Sequence, residues 1–169
     1  SSMGFRGPVV VSMGDKLISS KIVGDILNLA ENADAVLSVQ PASANHSGGR
    51  IATFEGAPCG IVEFADAALM KLADVEPQQY AQTLEDLGVN AKKAAKILDA
   101  ATANPPQGTR VLNGHTFTAD ALLNAEYVNA ALYCFDLEKA VRIISSLGDR
   151  NAQGEIYVTD SIEHFAKNG

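Results

Sequence analysis

The chain has 169 residues, 47% of them hydrophobic and 20% charged, with a net charge of −7 and a sequence pI near 4.8. That length suits one domain with a sizeable core. The acid excess argues against a general binder of nucleic acid or anionic membranes, which would need Lys and Arg to neutralise phosphates, although a few local donors can still hold one small anion.

Cys59 and Cys134 sit in apolar, strand-like runs and read as buried thiols in a reducing compartment rather than as a disulfide or metal pair. No apolar run approaches the ~20 residues of a membrane span. The N-terminus has no signal-peptide layout, so a cytoplasmic protein is expected.

In chain order, the β-branched run 8–12 predicts a buried strand, ending in Met13-Gly14-Asp15. Asp15 has two readings: a carboxylate at the rim of an α/β sheet, or a turn or helix N-cap. Ser19 or Ser20 can cap a helix whose Ile22, Val23, Ile26, Leu27 and Ala30 share one face. Residues 35–39 are a second β-branched run, giving a β-α-β unit with a crossover helix between parallel strands. A polar loop over 40–49 ends in two glycines, Gly48 and Gly49, where a backbone can approach a ligand closely.

Residues 50–54 and 59–64 then read as a hairpin across Glu55-Gly56. Glu63 falls inside the second strand and points either to solvent or into a cleft. Helices are expected over 66–73, 76–87 and 90–103, with Lys92, Lys93 and Lys96 on a solvated face. Residues 104–109 break regular structure, and Thr118 can cap 119–124. The apolar run 127–135 predicts a buried strand with one polar residue, Asn129, whose amide needs partners: backbone groups or the hydroxyls of a bound sugar. Asp136 caps a helix over 137–147.

The stretch 151–160, N-A-Q-G-E-I-Y-V-T-D, begins as a turn. It then alternates Ile156 and Val158 with Glu155, Tyr157 and Thr159, before a last helix to Ala166. His46, His115 and His164 have no metal-ligand spacing and read as surface residues. Neither common glycine-rich phosphate loop occurs.

Five of these pieces, in order, resemble the sugar-1-phosphate nucleotidyltransferases. V-V-V-S-M-G-D at 9–15 is similar to that family's strand-Gly-Asp. G-G-R-I at 48–51 resembles its G-Y-G-R-I loop, and G-I-V-E at 60–63 the strand that follows. V-N-A-A-L at 128–132 is similar to its I-N-T-G-I strand. N-A-Q-G-E-I-Y-V-T-D resembles N-A-Q-G-E-Y-Y-L-T-D of the bacterial N-acetylglucosamine-1-phosphate uridylyltransferases, the most specific match of the five. In that family a sugar-1-phosphate oxygen attacks the α-phosphorus of a nucleoside triphosphate and pyrophosphate leaves, by alignment and charge neutralisation.

The resemblance implies an α/β three-layer sandwich with a mixed, mainly parallel sheet of the nucleotide-diphospho-sugar transferase (GT-A-like) type, incomplete at its N-terminal side. It implies one partial domain over 1–169 with a helical insertion at about 67–126. Asp15 would be the Mg²⁺ ligand. Gly49, Glu63 and Asn129 would bind the N-acetylglucosamine moiety, and Glu155, Tyr157 and Thr159 would line the same side of the cleft.

The departures are equally specific. The G-x-G-T-R-M loop that cradles the triphosphate, the uracil-reading Q-x-P-x-G-T-A segment and the hexapeptide repeats of the bifunctional members are not in the sequence. The expectation is therefore the sugar-binding half of an enzyme making the cell-wall precursor UDP-N-acetylglucosamine, inactive as this isolated chain. The alternative is a non-catalytic sugar-phosphate-binding or protein-interaction module. The expected partners are a nucleotide sugar or sugar 1-phosphate, with self-association through an open sheet edge and no nucleic acid or membrane.

Overall fold

The computed structural model describes residues 6–14, 17–44, 46–149 and 151–167. Its elements run β1 (Pro8–Ser12), α1 (Ser20–Ala30), β2 (Ala35–Pro41), β3 (Arg50–Phe54), β4 (Ala57–Val62), α2 (Phe64–Lys71), α3 (Tyr80–Asp86) and α4 (Ala91–Ala103). They continue with β5 (Thr109–Leu112), β6 (His115–Thr118), α5 (Ala119–Leu123), β7 (Tyr127–Asp136), α6 (Leu137–Ile144) and α7 (Ser161–Ala166). Three of the caps expected from the sequence form: Ser19 accepts from Ile22 N–H, Thr118 from Ala121 N–H and Asp136 from Lys139 N–H.

The strand β7 organises the main sheet. It pairs with β2 along one edge, from Ala35 opposite Phe135 to Pro41 opposite Tyr127. β1 pairs with residues that β2 also pairs with, so it lies on the other edge, from Pro8 opposite Asp136 to Ser12 opposite Leu132. β3 shares that second edge and meets β7 at Arg50 opposite Val128, and β4 extends the sheet beyond β3.

Each of these pairings is antiparallel, which corrects the mainly parallel sheet expected from the sequence. The physical reason lies in β7. β1 and β2 both run against β7 and so run in the same direction as each other, as a helical crossover requires. The long, almost wholly apolar β7 inserts between them, and each pairs with it instead of with its sequence neighbour. A β-α-β pattern specifies direction; it does not specify which strand lies next door.

Side chains alternate across the sheet as the pleat demands. Val10, Val36, Leu132 and Cys134 pack with Ile26 of α1 on one face. Val9, Val11, Leu37, Tyr133 and Phe135 pack on the other with Ala140 of α6 and Ile162 and Phe165 of α7. Helices thus cover both faces. Both cysteines are free and buried, as expected.

The 67–126 segment completes α2 and adds α3, α4, the β5–β6 hairpin and α5. Its residues pack against the β3–β4 hairpin in one cluster around Val62, Met70, Leu112 and Leu122. A second cluster joins α2, α3 and α4 through Leu72, Leu84 and Ile97, and Ala152 sits in it. The β5–β6 hairpin fills the stretch between the 104–109 break and the Thr118 cap, where no element is expected from the sequence. Asn113 and Gly114 both take positive φ, +47° and +80°, the pattern of a two-residue I′ turn. Among the described residues no helix is long and apolar enough to cross a membrane.

Candidate functional site: a polar cleft at a gap in the sheet

On the second edge of β7, β1 stops pairing at Leu132 and β3 starts at Val128. Between them, among the described residues, the edge is open apart from Asn129 N–H donating to the Gly49 carbonyl at 2.8 Å. Ala131 sits in this gap with φ of +61°, a left-handed conformation unusual for a residue bearing a Cβ. Sparsely populated backbone of this kind clusters at ligand sites, where surrounding contacts hold it in place. Here the Asn129 side chain does so: its Oδ1 accepts from Ala131 N–H at 2.9 Å, while its Nδ2 donates to the Tyr133 hydroxyl.

A cleft of about 440 Å³ opens at this gap. Its floor is the end of β1 with Asn129 and Ala131, one wall is Ser47, Gly48 and Gly49, and the other is the 151–160 stretch. Gly49, Glu63, Asn129, Glu155, Tyr157 and Thr159 all line it, so the structure brings these six sequence-selected residues together. Asp15 lies outside the described residues. Met13, two residues before it, lines the cleft.

Each wall has a local cause. A Cβ on Gly49 would lie 2.8 Å from Ile61 Cγ2 and 3.1 Å from Glu63 Oε1, so glycine is what lets this loop close onto β4 and Glu63. Glu63 is not within a strand: β4 ends at Val62, and Glu63 is the N-cap position of α2. That turn swings its carboxylate into the cleft, where Oε1 accepts a hydrogen bond from Thr159 Oγ1 at 2.9 Å. Burial pushes the Glu63 carboxyl up from the usual carboxylate range. The Thr159 hydrogen bond opposes this, Asp160 adds to it and Lys93 opposes it.

The 151–160 stretch is not a strand. It is a turn followed by extended chain and one 3-10 turn, Val158–Asp160. Its two-residue alternation survives over 156–159 as a difference in exposure, with the apolar side chains the more exposed. Ile156 and Val158 are 61% and 37% exposed, whereas Tyr157 and Thr159 are buried against the cleft. The Tyr157 hydroxyl accepts from Gln153 Nε2 at 2.9 Å, and its pKa is raised, first by burial and then by Asp66. Glu155 is exposed and takes Lys96 Nζ at 3.0 Å, so one lysine of the face read as solvated reaches across to this wall.

Sequence reasoning missed Gln153, Tyr133 and Asp66. Gln153 stood inside the motif and could have been weighed with its neighbours. A larger concavity, about 700 Å³, lies elsewhere, between the α1–β2 turn, Pro58 and α7, and gathers none of the six.

The cleft's chemistry suits a neutral, hydroxyl-bearing molecule. It combines the half-buried Glu63 carboxylate and the exposed Glu155, two side-chain amides and five hydroxyls, with apolar patches from Val11 and Ile156. Among the described residues no group of three or more His, Cys, Asp and Glu could hold a metal ion.

The fold and the site together define an α/β domain with a polar cleft at a gap in an antiparallel sheet. No protein-family model matches the chain. Over 94% of its length it is 28% identical to the Bifunctional protein GlmU of Clostridium perfringens, in an alignment of 170 residues. It is 33% identical over 84 residues to the Bifunctional protein GlmU of Clostridium botulinum, which is 44% of the chain and 18% of that relative. The protein of the same name from Clostridium tetani is 32% identical over 83 residues, 43% of the chain and 18% of the relative. Even in the longest of these matches the chain spans 35% of the relative's length. The motif resemblance stands: the chain is GlmU-like along almost its whole length and corresponds to a part of those proteins.

Proposed function

We propose that the cleft is the sugar-binding part of a nucleotidyltransferase-like site and takes the N-acetylglucosamine portion of UDP-N-acetylglucosamine or of N-acetylglucosamine 1-phosphate. The observation that carries this is the meeting of Gly49, Glu63, Asn129, Glu155, Tyr157 and Thr159, from distant parts of the sequence, around one polar cleft of sugar size. In this reading Glu63 accepts a hydrogen bond from a sugar hydroxyl, which competes with Thr159 for its carboxylate. The Asn129 amide and the Gly49 backbone present further polar groups, and the Tyr157 ring closes one side. Mg²⁺ belongs to the same proposal through Asp15, together with an insertion role for residues 67–126 and a cytoplasmic setting. Self-association through the free edges of β2 or β4 is part of it as well.

The chain carries no G-x-G-T-R-M loop to cradle a triphosphate. The proposal therefore expects binding of the sugar product or substrate without appreciable uridylyl transfer. Two measurements test it. Calorimetric titration with UDP-N-acetylglucosamine should give saturable binding that Glu63→Ala and Asn129→Ala each weaken. A pyrophosphate-release assay with UTP, N-acetylglucosamine 1-phosphate and Mg²⁺ should stay at background. No binding by any form would favour an interaction module instead, and robust turnover would overturn the binding-only reading.

A further inference from the structure

The wall formed by residues 152–159 has no ladder of its own to hold it, because it is neither strand nor α-helix until the 3-10 turn at its end. Something else must fix a segment that presents Gln153, Tyr157 and Thr159 to the cleft. Two carboxylates do so, and both come from the start of α2. Glu63 accepts from Thr159 Oγ1 at one end of the segment, at 2.9 Å. Asp66 accepts from the backbone N–H of Ala152 at the other end, at 2.7 Å. The two acids are three residues apart on one helical turn, so they lie on the same face and reach the same segment.

We propose that Asp66 is a positioning residue, a latch that holds the 152–159 segment in the shape that presents Gln153, Tyr157 and Thr159 to the cleft. Asp66 is 7% exposed, and among the described residues its second oxygen, Oδ2, has no hydrogen-bond partner. A buried carboxylate with one oxygen unpaired is costly, and its placement calls for a compensating role. The Ala152 N–H it receives is itself buried, with the Ala152 methyl packed among α2 and α4, so the donor has no solvent to fall back on. A ligand that drew on Glu63 would compete with Thr159 for that carboxylate, leaving Asp66 as the tie from α2 that ligand does not touch.

The charged and titratable groups facing Asp66 are Arg110 of β5, Asp160 beyond the segment, Glu63 on its own turn, and Tyr157 across the segment. Burial, with Asp160 and Glu63, raises the carboxyl to about 6, against the lowering effects of the Ala152 hydrogen bond and Arg110. Protonation at the unpaired Oδ2 leaves Oδ1 able to accept from Ala152. The latch therefore weakens in acid without being lost.

The test has two readouts, because the affinity readout rests on the sugar-binding reading and the other does not. Amide hydrogen exchange over 152–159 is compared in the unsubstituted chain, Asp66→Ala and Asp66→Asn, alongside calorimetry with UDP-N-acetylglucosamine. Asp66→Ala should speed exchange of the segment by about tenfold or more while the β7 amides stay protected, because only the local opening changes. Asp66→Asn keeps an oxygen acceptor and should stay within about threefold of the unsubstituted chain in exchange and in affinity. Unchanged exchange in Asp66→Ala overturns the latch. If Asp66→Ala does not fold, Asp66→Asn decides: selective fast exchange over 152–159 overturns the role of the oxygen acceptor. An unsubstituted chain that binds no sugar nucleotide refutes the proposed function alone, and the exchange comparison still decides the latch.

Discussion

The two sides of the cleft are built by different means. On one side β7 is paired with β2 along nearly all its length and with β1 and β3 on the opposite edge, and its side chains alternate into two apolar clusters. On the other, residues 152–159 form no ladder and are held at both ends by carboxylates from a single turn of α2. The first wall is rigid through many weak, redundant contacts. The second depends on a few side-chain bonds, each of which matters. Loops held in this way can carry a ligand surface while remaining sensitive to single substitutions and to pH.

The largest effect should come from the redundant side, at its densest point. Phe135 is 1% exposed and stacks on both Tyr133 and Phe165. Phe135→Ala should cost roughly 3–5 kcal/mol, read as a lower urea midpoint with an unchanged slope. A loss as small as that of a surface substitution would mean that β7 is not the organising strand.

Next is the pH dependence of the clamped side. The Asp66 carboxyl is raised from 3.8 to about 6, and Glu63 and Asp160 move in the same direction. In each case burial of the charged form is the first cause. A raised folded pKa means that the native state holds its proton longer than the unfolded chain does. The stability this contributes is present below the unfolded value and is lost as pH rises through about 6. For Asp66 the change is on the order of 2–3 kcal/mol. Urea midpoints measured from pH 4 to pH 8 should therefore fall less steeply in Asp66→Asn than in the unsubstituted chain, on the order of that difference. Parallel curves would remove the buried charge from the account.

Gly49→Ala probes the junction between the walls. Its Cβ would stand 2.8 Å from Ile61 Cγ2, and the cost should be about 1–3 kcal/mol, together with weaker sugar binding. The smallest effect is expected at Glu155. Its bridge to Lys96 joins side chains that are 57% and 43% exposed, so Glu155→Gln should change stability by less than about 1 kcal/mol, and less still in high salt.

What could be read from the sequence follows the same division. Local signals were legible: the caps Ser19, Thr118 and Asp136, the apolar run of β7, and the Glu55-Gly56 hairpin, whose turn takes φ of +51° and +81°. The second hairpin turn, Asn113-Gly114, carries an equally strong local signal, and its positive φ values are what the Asn-Gly pair favours. The pairing partner of β1 was not legible, because the hydrophobic pattern of a strand records burial and direction but not its neighbour. The site residues came from motifs, and six of them line one cleft, while Asp15 lies outside the described residues. Asp66 did not come from a motif, because an Asp in the first turn of a helix is ordinary for dipole reasons, and only the fold shows the Ala152 N–H it receives. The motif did point Tyr157 and Thr159 to the cleft, whereas the hydrophobic pattern alone would have turned Ile156 and Val158 inward: a polar cleft inverts the usual sense of an alternating pattern.

The central claim is that this cleft receives the sugar of a nucleotide sugar. Saturation-transfer NMR on UDP-N-acetylglucosamine with the purified chain tests it most directly, because it reports which protons of the ligand touch the protein. The account predicts the strongest transfer to the N-acetyl methyl and sugar-ring protons, weak transfer to the uracil protons, and loss of the signal in Asn129→Ala. Transfer concentrated on the uracil ring, or a sugar signal unaffected by that substitution, would contradict it.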